Sequence, residues 1–292
     1  MINKTLARLS FEKAAAGYDD AAVLQREIGN RLQERLDYIR FQPQRILDVG
    51  SGTGVCSSYL AGFYKKSEVI ALDFATAMLQ QAKQKRPWKQ RLSSRYKFVT
   101  GDAYQLPLVD NSIDMIFSNL ALQWCSDLEQ VFREFRRVLK PGGMLLFSTF
   151  GPDTLKELRT CWQQVDDFAH INDFIDLHVV GDAMVKSGFS DPVMDMEMIT
   201  VTYPDVKNIM RDLKRIGAHN VNETRAKGLT GKQALSKLVD AYETYRVDNV
   251  LPVTHEVIYG HAWIPENKDQ ISESCGVQQV SLDELKNTLE KF

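Results

Sequence analysis

Apolar residues change their period along the chain, and the changes mark its elements. Over residues 10–38, Val23, Leu24, Ile28, Leu32, Leu36 and Ile39 recur near every third or fourth position. That spacing predicts an amphipathic helical segment, closed by Pro43. Short apolar runs follow at 45–49, 68–73, 96–99 and 112–118, each read as a strand. A helical pattern through Ala77, Met78, Leu79 and Ala82 separates the second run from the third and stops at Pro87. Ser126-Asp127-Leu128-Glu129 fits a capping box. Behind it Leu128, Val131, Phe132, Phe135, Val138 and Leu139 share one helix face, and Pro141-Gly142-Gly143 ends it. A further apolar strand spans 144–150. Strands alternating with helices over 45–150 predict an α/β fold with a doubly wound, mostly parallel sheet and helices on both faces.

The second half is less regular. Helices are predicted over 153–165, 177–187, 204–216 and 232–245, and a last strand over 253–264. Met194, Met196 and Met198 alternate with Asp195 and Glu197, which predicts a strand exposed on one face. Beyond Pro265 the chain is polar and weakly patterned, although Ser281-Leu282-Asp283-Glu284 could cap a short helix.

Composition narrows the classes of function. A net charge of -2 over 292 residues offers no global attraction to nucleic acid or membrane, and neither is predicted as a partner. No run is long and apolar enough to span a bilayer. Residues 1–18 lack the apolar core of a secretory signal. Cys56, Cys125, Cys161 and Cys275 are scattered without a C-x-x-C pair, so neither a disulfide framework nor a metal site is indicated. A reduced, cytoplasmic setting is the expectation.

The candidate chemistry begins where the first strand ends. Asp48-Val49-Gly50-Ser51-Gly52-Thr53-Gly54 turns through three glycines into a helix-competent stretch. A pyrophosphate fingerprint needs a small residue at position 55, where this chain has Val55, and no lysine-bearing phosphate loop occurs. Asp48, Asp73 and Asp102 all fall at the carboxyl ends of predicted strands, where such sheets bind ligands. Asp73 is placed to accept from ribose hydroxyls, and Asp102 from an adenine amino group.

This D-x-G-x-G-x-G order, with the two later acids, resembles the class I S-adenosylmethionine (SAM)-dependent methyltransferases. The resemblance implies a Rossmann-like fold with a helical lid, SAM as cofactor, S-adenosylhomocysteine as product, and no metal. Carried over residue by residue, it assigns cofactor binding to Asp48, Gly50, Ser51, Gly52, Gly54, Asp73, Asp102 and Ala103. Met78 would pack on the adenine, Asn119 would serve the methionine end, and Gln25 would close over the cofactor. It implies one domain over 1–264, divided into a lid (1–44), a SAM-binding core (45–150) and acceptor-side helices (151–250). A polar tail over 265–292 follows.

A closer resemblance lies outside the core. Phe11, Ala14, Ala15, Tyr18 and Gln25 fit an F-x-x-A-A-x-x-Y-x-x-x-x-x-x-Q pattern. Phe150-Gly151-Pro152-Asp153-Thr154-Leu155-Lys156-Glu157-Leu158-Arg159 follows the fifth strand, and Gly217-Ala218-His219-Asn220 comes later. These segments are similar to the malonyl-[acyl-carrier protein] O-methyltransferase family of biotin synthesis. The implied acceptor is a malonyl thioester, on acyl-carrier protein or coenzyme A. A carboxylate is already nucleophilic at neutral pH, so no catalytic base is required, and positioning supplies much of the acceleration. Tyr18 and Arg159 are the expected orienting residues, Arg159 because its guanidinium can fork onto a carboxylate. His170 and His178 are further candidate polar contacts. Lys207, Arg211, Lys214 and Arg215 share a helix and are the expected surface for an acidic carrier, with Arg225, Lys227, Lys232 and Lys237 nearby. Rival readings are a protein-arginine hydroxylase like the mitochondrial complex I assembly factor that resembles this family, a SAM-binding protein without transfer activity, and a methyltransferase of another small acceptor.

Overall fold

The computed structural model describes residues 2–86, 94–218, 220 and 231–266. Seven strands form one sheet in the order β3-β2-β1-β4-β5-β7-β6. They are β1 (Arg45–Val49), β2 (Glu68–Asp73), β3 (Tyr96–Thr100), β4 (Ile113–Asn119), β5 (Leu139–Phe150), β6 (Ser190–Tyr203) and β7 (Leu251–Trp263). The first five pair in parallel, while β7 runs antiparallel between β5 and β6. Strand order reverses between β1 and β4, which opens a crevice at their carboxyl ends. The α/β, doubly wound, mostly parallel fold expected from the alternation of periods is the fold observed.

Helices cover both faces because the central strands are apolar on both sides. The helices of the N-terminal region and core are α1 (Lys4–Ala14), α2 (Tyr18–Ala21), α3 (Val23–Glu34), α4 (Val55–Phe63), α5 (Thr76–Lys85) and α6 (Leu128–Val138). Those of the second half are α7 (Lys156–Gln163), α8 (Leu177–Lys186), α9 (Val206–Arg215) and α10 (Lys232–Glu243). On one face Phe132 and Phe135 of α6 and Met184 of α8 pack over Ile116, Leu145 and Phe147. On the other, Ile28 and Leu32 of α3 and Leu60 of α4 pack over Ile46, Met115 and Leu146. A third cluster joins Leu158 and Trp162 of α7, Ile209 of α9, Leu238 and Tyr242 of α10, and Leu251 of β7. The irregular second half thus has a core of its own against the far end of the sheet.

Several boundaries depart from expectation. The N-terminal segment breaks into α1, α2 and α3, and Val23 opens α3 exposed rather than buried. The cap of α6 is Asp127, not Ser126: its carboxylate accepts from Gln130 N at 2.9 Å. Pro141-Gly142-Gly143 does not lie outside the fifth strand but within β5, where the register slips between Ile113 and Met115. On β6, Met196 and Met198 face solvent and Glu197 turns inward, where Arg31 reaches it. The charge is drawn in by a partner on α3 that no local pattern could reveal. The tail from 267 on lies outside the described residues, as do Cys275, His219, Arg225 and Lys227.

Candidate cofactor and acceptor sites

The glycine turn after β1 has a separate reason for each glycine. Gly50, Gly52 and Gly54 all take positive φ, at 72°, 53° and 81°. A Cβ on Gly50 would stand 2.3 Å from Cβ of Ala121, and one on Gly54 would stand 2.8 Å from Cβ of Ala82. Those two are small because the core presses on them. A Cβ on Gly52 would meet no atom within 4 Å, because Gly52 faces the open crevice. The turn is pinned by Gly50 N and Ser51 N, both donating to Leu72 O at 2.9 and 3.0 Å.

The acids do different work. Asp73 ends β2 and is buried; its Oδ2 accepts from Gly52 N and its Oδ1 from Ala75 N, each at 2.8 Å. Burial pushes its carboxyl up to about 6, against the pull of those two amides. Asp48 lies beneath the turn and accepts from the Ser57 hydroxyl of α4. Burial raises it to about 7, with Ser57 opposing and the charge of Asp73 adding. Asp102 is half-exposed, accepts from Tyr104 N at 3.0 Å, and pairs with Lys4 at 3.2 Å. A cationic ligand beside the buried Asp48 and Asp73 would favour their charged forms.

Around the turn lie two small spaces, of 110 and 60 Å³, both walled by Tyr18, Gly50, Gly52 and Asn119. The larger adds Asp73, Met78, Asp102 and Ala103; the smaller adds Gln25, Asp48 and Ser51. All the expected cofactor residues except Gly54 therefore line one crevice. Met78 is fully buried against it, an apolar wall suited to a purine. Asp73 keeps free lone pairs for hydroxyl groups. Asn119 ends β4 with Nδ2 on Gln25 O at 3.0 Å and Oδ1 accepting from Ser148 Oγ at 2.7 Å. These residues fit SAM: an acid for ribose, an apolar slot for the base, and open backbone at Gly52.

The N-terminal segment closes the crevice. Glu12 accepts from Thr76 N and Ala77 N, at 2.7 and 2.8 Å, capping α5 from a distant part of the chain. Asp19 accepts from Thr53 Oγ1 at 2.5 Å and pairs with Lys85 at 2.6 Å. Phe11 packs edge-on against Phe74 and Trp124, at 5.8 and 5.1 Å between centroids. The Tyr18 hydroxyl titrates well above its usual range because it is desolvated and faces Asp73 and Asp19. Sequence reasoning missed Lys4, Phe74, Tyr104 and Trp124 as crevice residues. Phe74 after the second strand, Tyr104 beside Ala103 and Trp124 after the fourth strand carried a positional signal, and Lys4 carried none.

Beside the crevice, and sharing Gln25 and Trp124 with its two halves, lies a chamber of 760 Å³. Its wall is largely apolar, with Leu24, Phe150, Leu158, Trp162, Ile171 and Leu213 prominent. Arg159 does not line it. Its guanidinium donates to the carbonyls of Pro152, Thr154 and Asn172 at 2.7, 3.4 and 3.5 Å, which braces the turn after β5. The same turn is tied to β7 by Glu256, whose carboxylate accepts from Asp153 N at 2.7 Å. His170 lines the chamber; it stacks on Trp162 at 3.6 Å and contacts Asp166 at 2.8 Å. His178 serves α8 through its backbone N, which donates to the cap Asp176. Lys207, Arg211, Lys214 and Arg215 all stand exposed on α9, and Lys214 also lines the chamber. Among the described residues, no helix is long and apolar enough to cross a membrane. Nor does any group of three or more His, Cys, Asp or Glu there suit a metal ion.

The strand order, the glycine turn and the two acids on one crevice define a SAM-dependent methyltransferase. Residues 47–147 match the methyltransferase domain family. The fold resembles that of YcgJ from Bacillus subtilis, with TM-score 0.55 and 18% identity over 81% of this chain and 98% of that one. It also resembles Haemonchus contortus phosphoethanolamine N-methyltransferase 2, solved with S-adenosylhomocysteine: TM-score 0.52 and 22% identity over 81% of this chain and 53% of that one. Whole-length sequence likeness is more specific. The malonyl-[acyl-carrier protein] O-methyltransferase of Nitrosospira multiformis is 50% identical over 92% of each chain. That of Gallionella capsiferriformans is 52% identical over 91% of this chain and 92% of its own. The protein belongs to the malonyl-[acyl-carrier protein] O-methyltransferase family.

Proposed function

We propose that this enzyme transfers a methyl group from SAM to the free carboxyl of a malonyl thioester carried by acyl-carrier protein, a step of biotin synthesis. The observation that carries this reading is identity of about half over nine-tenths of both chains, which spans the acceptor side as well as the cofactor core. The apolar chamber next to the crevice supports it, since a thioester arm needs a channel of that kind. SAM, when bound, supplies an electrophilic methyl group. The chain's part is to hold both reactants in register and keep water out, which suffices for a nucleophile that needs no deprotonation.

Within this reading Tyr18 orients the acceptor from the lid, where it borders both halves of the crevice. Arg159 acts through the wall it braces rather than by forking onto the carboxylate. The exposed cations of α9 meet the acidic carrier at the chamber mouth. Malonyl-coenzyme A is the alternative acceptor with the same arm. Incubation of labelled SAM with malonyl-acyl-carrier protein should give a base-labile methyl ester; labelled SAM that stays intact with both thioesters would overturn the reading. The hydroxylase and non-catalytic alternatives predict that second outcome.

A further inference from the structure

Three side chains from distant parts of the sequence line the chamber, and each keeps one polar atom buried in its wall without a partner. Gln123 lies just after β4, Asn172 between α7 and α8, and His255 on β7, and all three line the same 760 Å³ space. Gln123 Oε1, Asn172 Oδ1 and His255 Nδ1 are buried and have no hydrogen-bond partner. Asn172 and His255 are 8% and 6% exposed. A buried polar atom without a partner costs about 1–3 kcal/mol, so three around one cavity call for an explanation. The terminal torsions of these side chains are broad, so each group turns readily to a ligand at the wall.

The character of the three groups indicates what they recognise. Two are amides, and the third is an imidazole that burial pushes down to about 4, against the pull of the backbone at Val253 and Ile199. All are therefore neutral near pH 7. The guanidinium of Arg159 lies on three carbonyls outside the chamber, and the cation that does line it, Lys214, stands exposed on α9. Gln123 Nε2 donates to Leu120 O at 2.6 Å, so its Oε1 is the atom left without a partner. Three unpaired acceptors in an apolar channel match a neutral ligand that brings a hydrogen-bond donor, and the N–H of a secondary amide is such a donor.

We propose that Gln123, Asn172 and His255 read the amide groups of the pantetheine-type arm that carries the acceptor's thioester. The inference rests on the malonyl-thioester function proposed above and adds the means by which the arm is recognised.

The test compares two malonyl thioesters, one of N-acetylcysteamine and one in which its N–H is replaced by CH₂. Their dissociation constants are measured by calorimetry on the enzyme loaded with S-adenosylhomocysteine. The wild type should prefer the amide about tenfold, the worth of one neutral hydrogen bond. His255→Leu and Asn172→Leu should each lower that preference severalfold, while His255→Asn, which keeps an acceptor near Nδ1, should retain it. S-adenosylhomocysteine affinity reports folding, and Asn172→Ala replaces the leucine variant where that affinity is lost. Equal affinity of the wild type for both thioesters, or an unchanged preference in the leucine variants, would overturn the inference. Methyl transfer to malonyl-acyl-carrier protein is scored separately, so failure of the function is distinguishable from failure of the amide wall.

Discussion

Gly50 and Gly52 look equivalent in the sequence, yet their surroundings demand different outcomes on substitution. Gly50→Ala should destabilise the protein by roughly 3 kcal/mol, from a left-handed backbone and a methyl driven into Ala121. Gly52→Ala should cost about 1 kcal/mol in stability, because nothing crowds it, yet weaken SAM binding roughly tenfold by filling the crevice. Urea denaturation with calorimetric SAM titration separates the two effects, and equal stability losses would contradict the packing argument. At Asp48 the prediction concerns pH. Folding raises this carboxyl to about 7, so the folded state holds its proton more tightly than the unfolded chain. Stability from this group is therefore full near pH 4 and falls as pH rises to about 7. Asp48→Asn should melt above the cofactor-free wild type at pH 8, and the difference should vanish near pH 4. Motif spacing made both glycines and Asp48 legible as a set. Their separate loads were hidden, because Ala121 approaches Gly50, and Ser57 Asp48, only in three dimensions.

Among the elements, α9 shows both the reach and the limit of periodicity. Lys207, Arg211, Lys214 and Arg215 were expected on one helix, and all four are exposed there. Charge reversal of Lys207, Arg211 and Arg215 should lower kcat/KM for malonyl-acyl-carrier protein about tenfold at low ionic strength. The deficit should shrink with added salt, and a malonyl thioester without the carrier should show none; a salt-independent loss would point to damage to the helix instead. The lid is the contrary case. A single helical stretch was expected, but α1, α2 and α3 are separate, and Glu12 of α1 caps α5 across 64 positions of sequence. Glu12→Ala should leave the sheet intact, cost about 1 kcal/mol as a lost cap, and speed hydrogen exchange in α1. Unchanged exchange there would mean that the aromatic contacts of Phe11 hold the lid without it.

At the scale of the whole molecule, the N-terminal helices pack onto the crevice at the carboxyl ends of the strands. SAM at a hundredfold excess over its dissociation constant should stabilise the fold by about 2.7 kcal/mol and raise the melting temperature. Hydrogen-exchange protection should increase in α1, α2 and the glycine turn but not in α10, whose core lies at the far end of the sheet. Uniform protection would imply a coupling between the two ends that their separate cores give no reason to expect. What the sequence determined by itself was local in origin: the alternation of strand and helix periods, the turn chemistry, and the acids at strand ends. Each of these is written within a few residues of chain, and the parallel sheet and the crevice at its strand-order reversal follow from them. Only the tertiary structure decided the chamber beside the crevice, because its wall draws Gln25, Gln123, Asn172, Lys214 and His255 from five separate segments. It also placed the guanidinium of Arg159, an expected carboxylate partner, on three backbone carbonyls. The physical reason is the same for both. A side chain's role is set by which groups reach it first, and backbone carbonyls brought close by folding leave no trace in residue spacing.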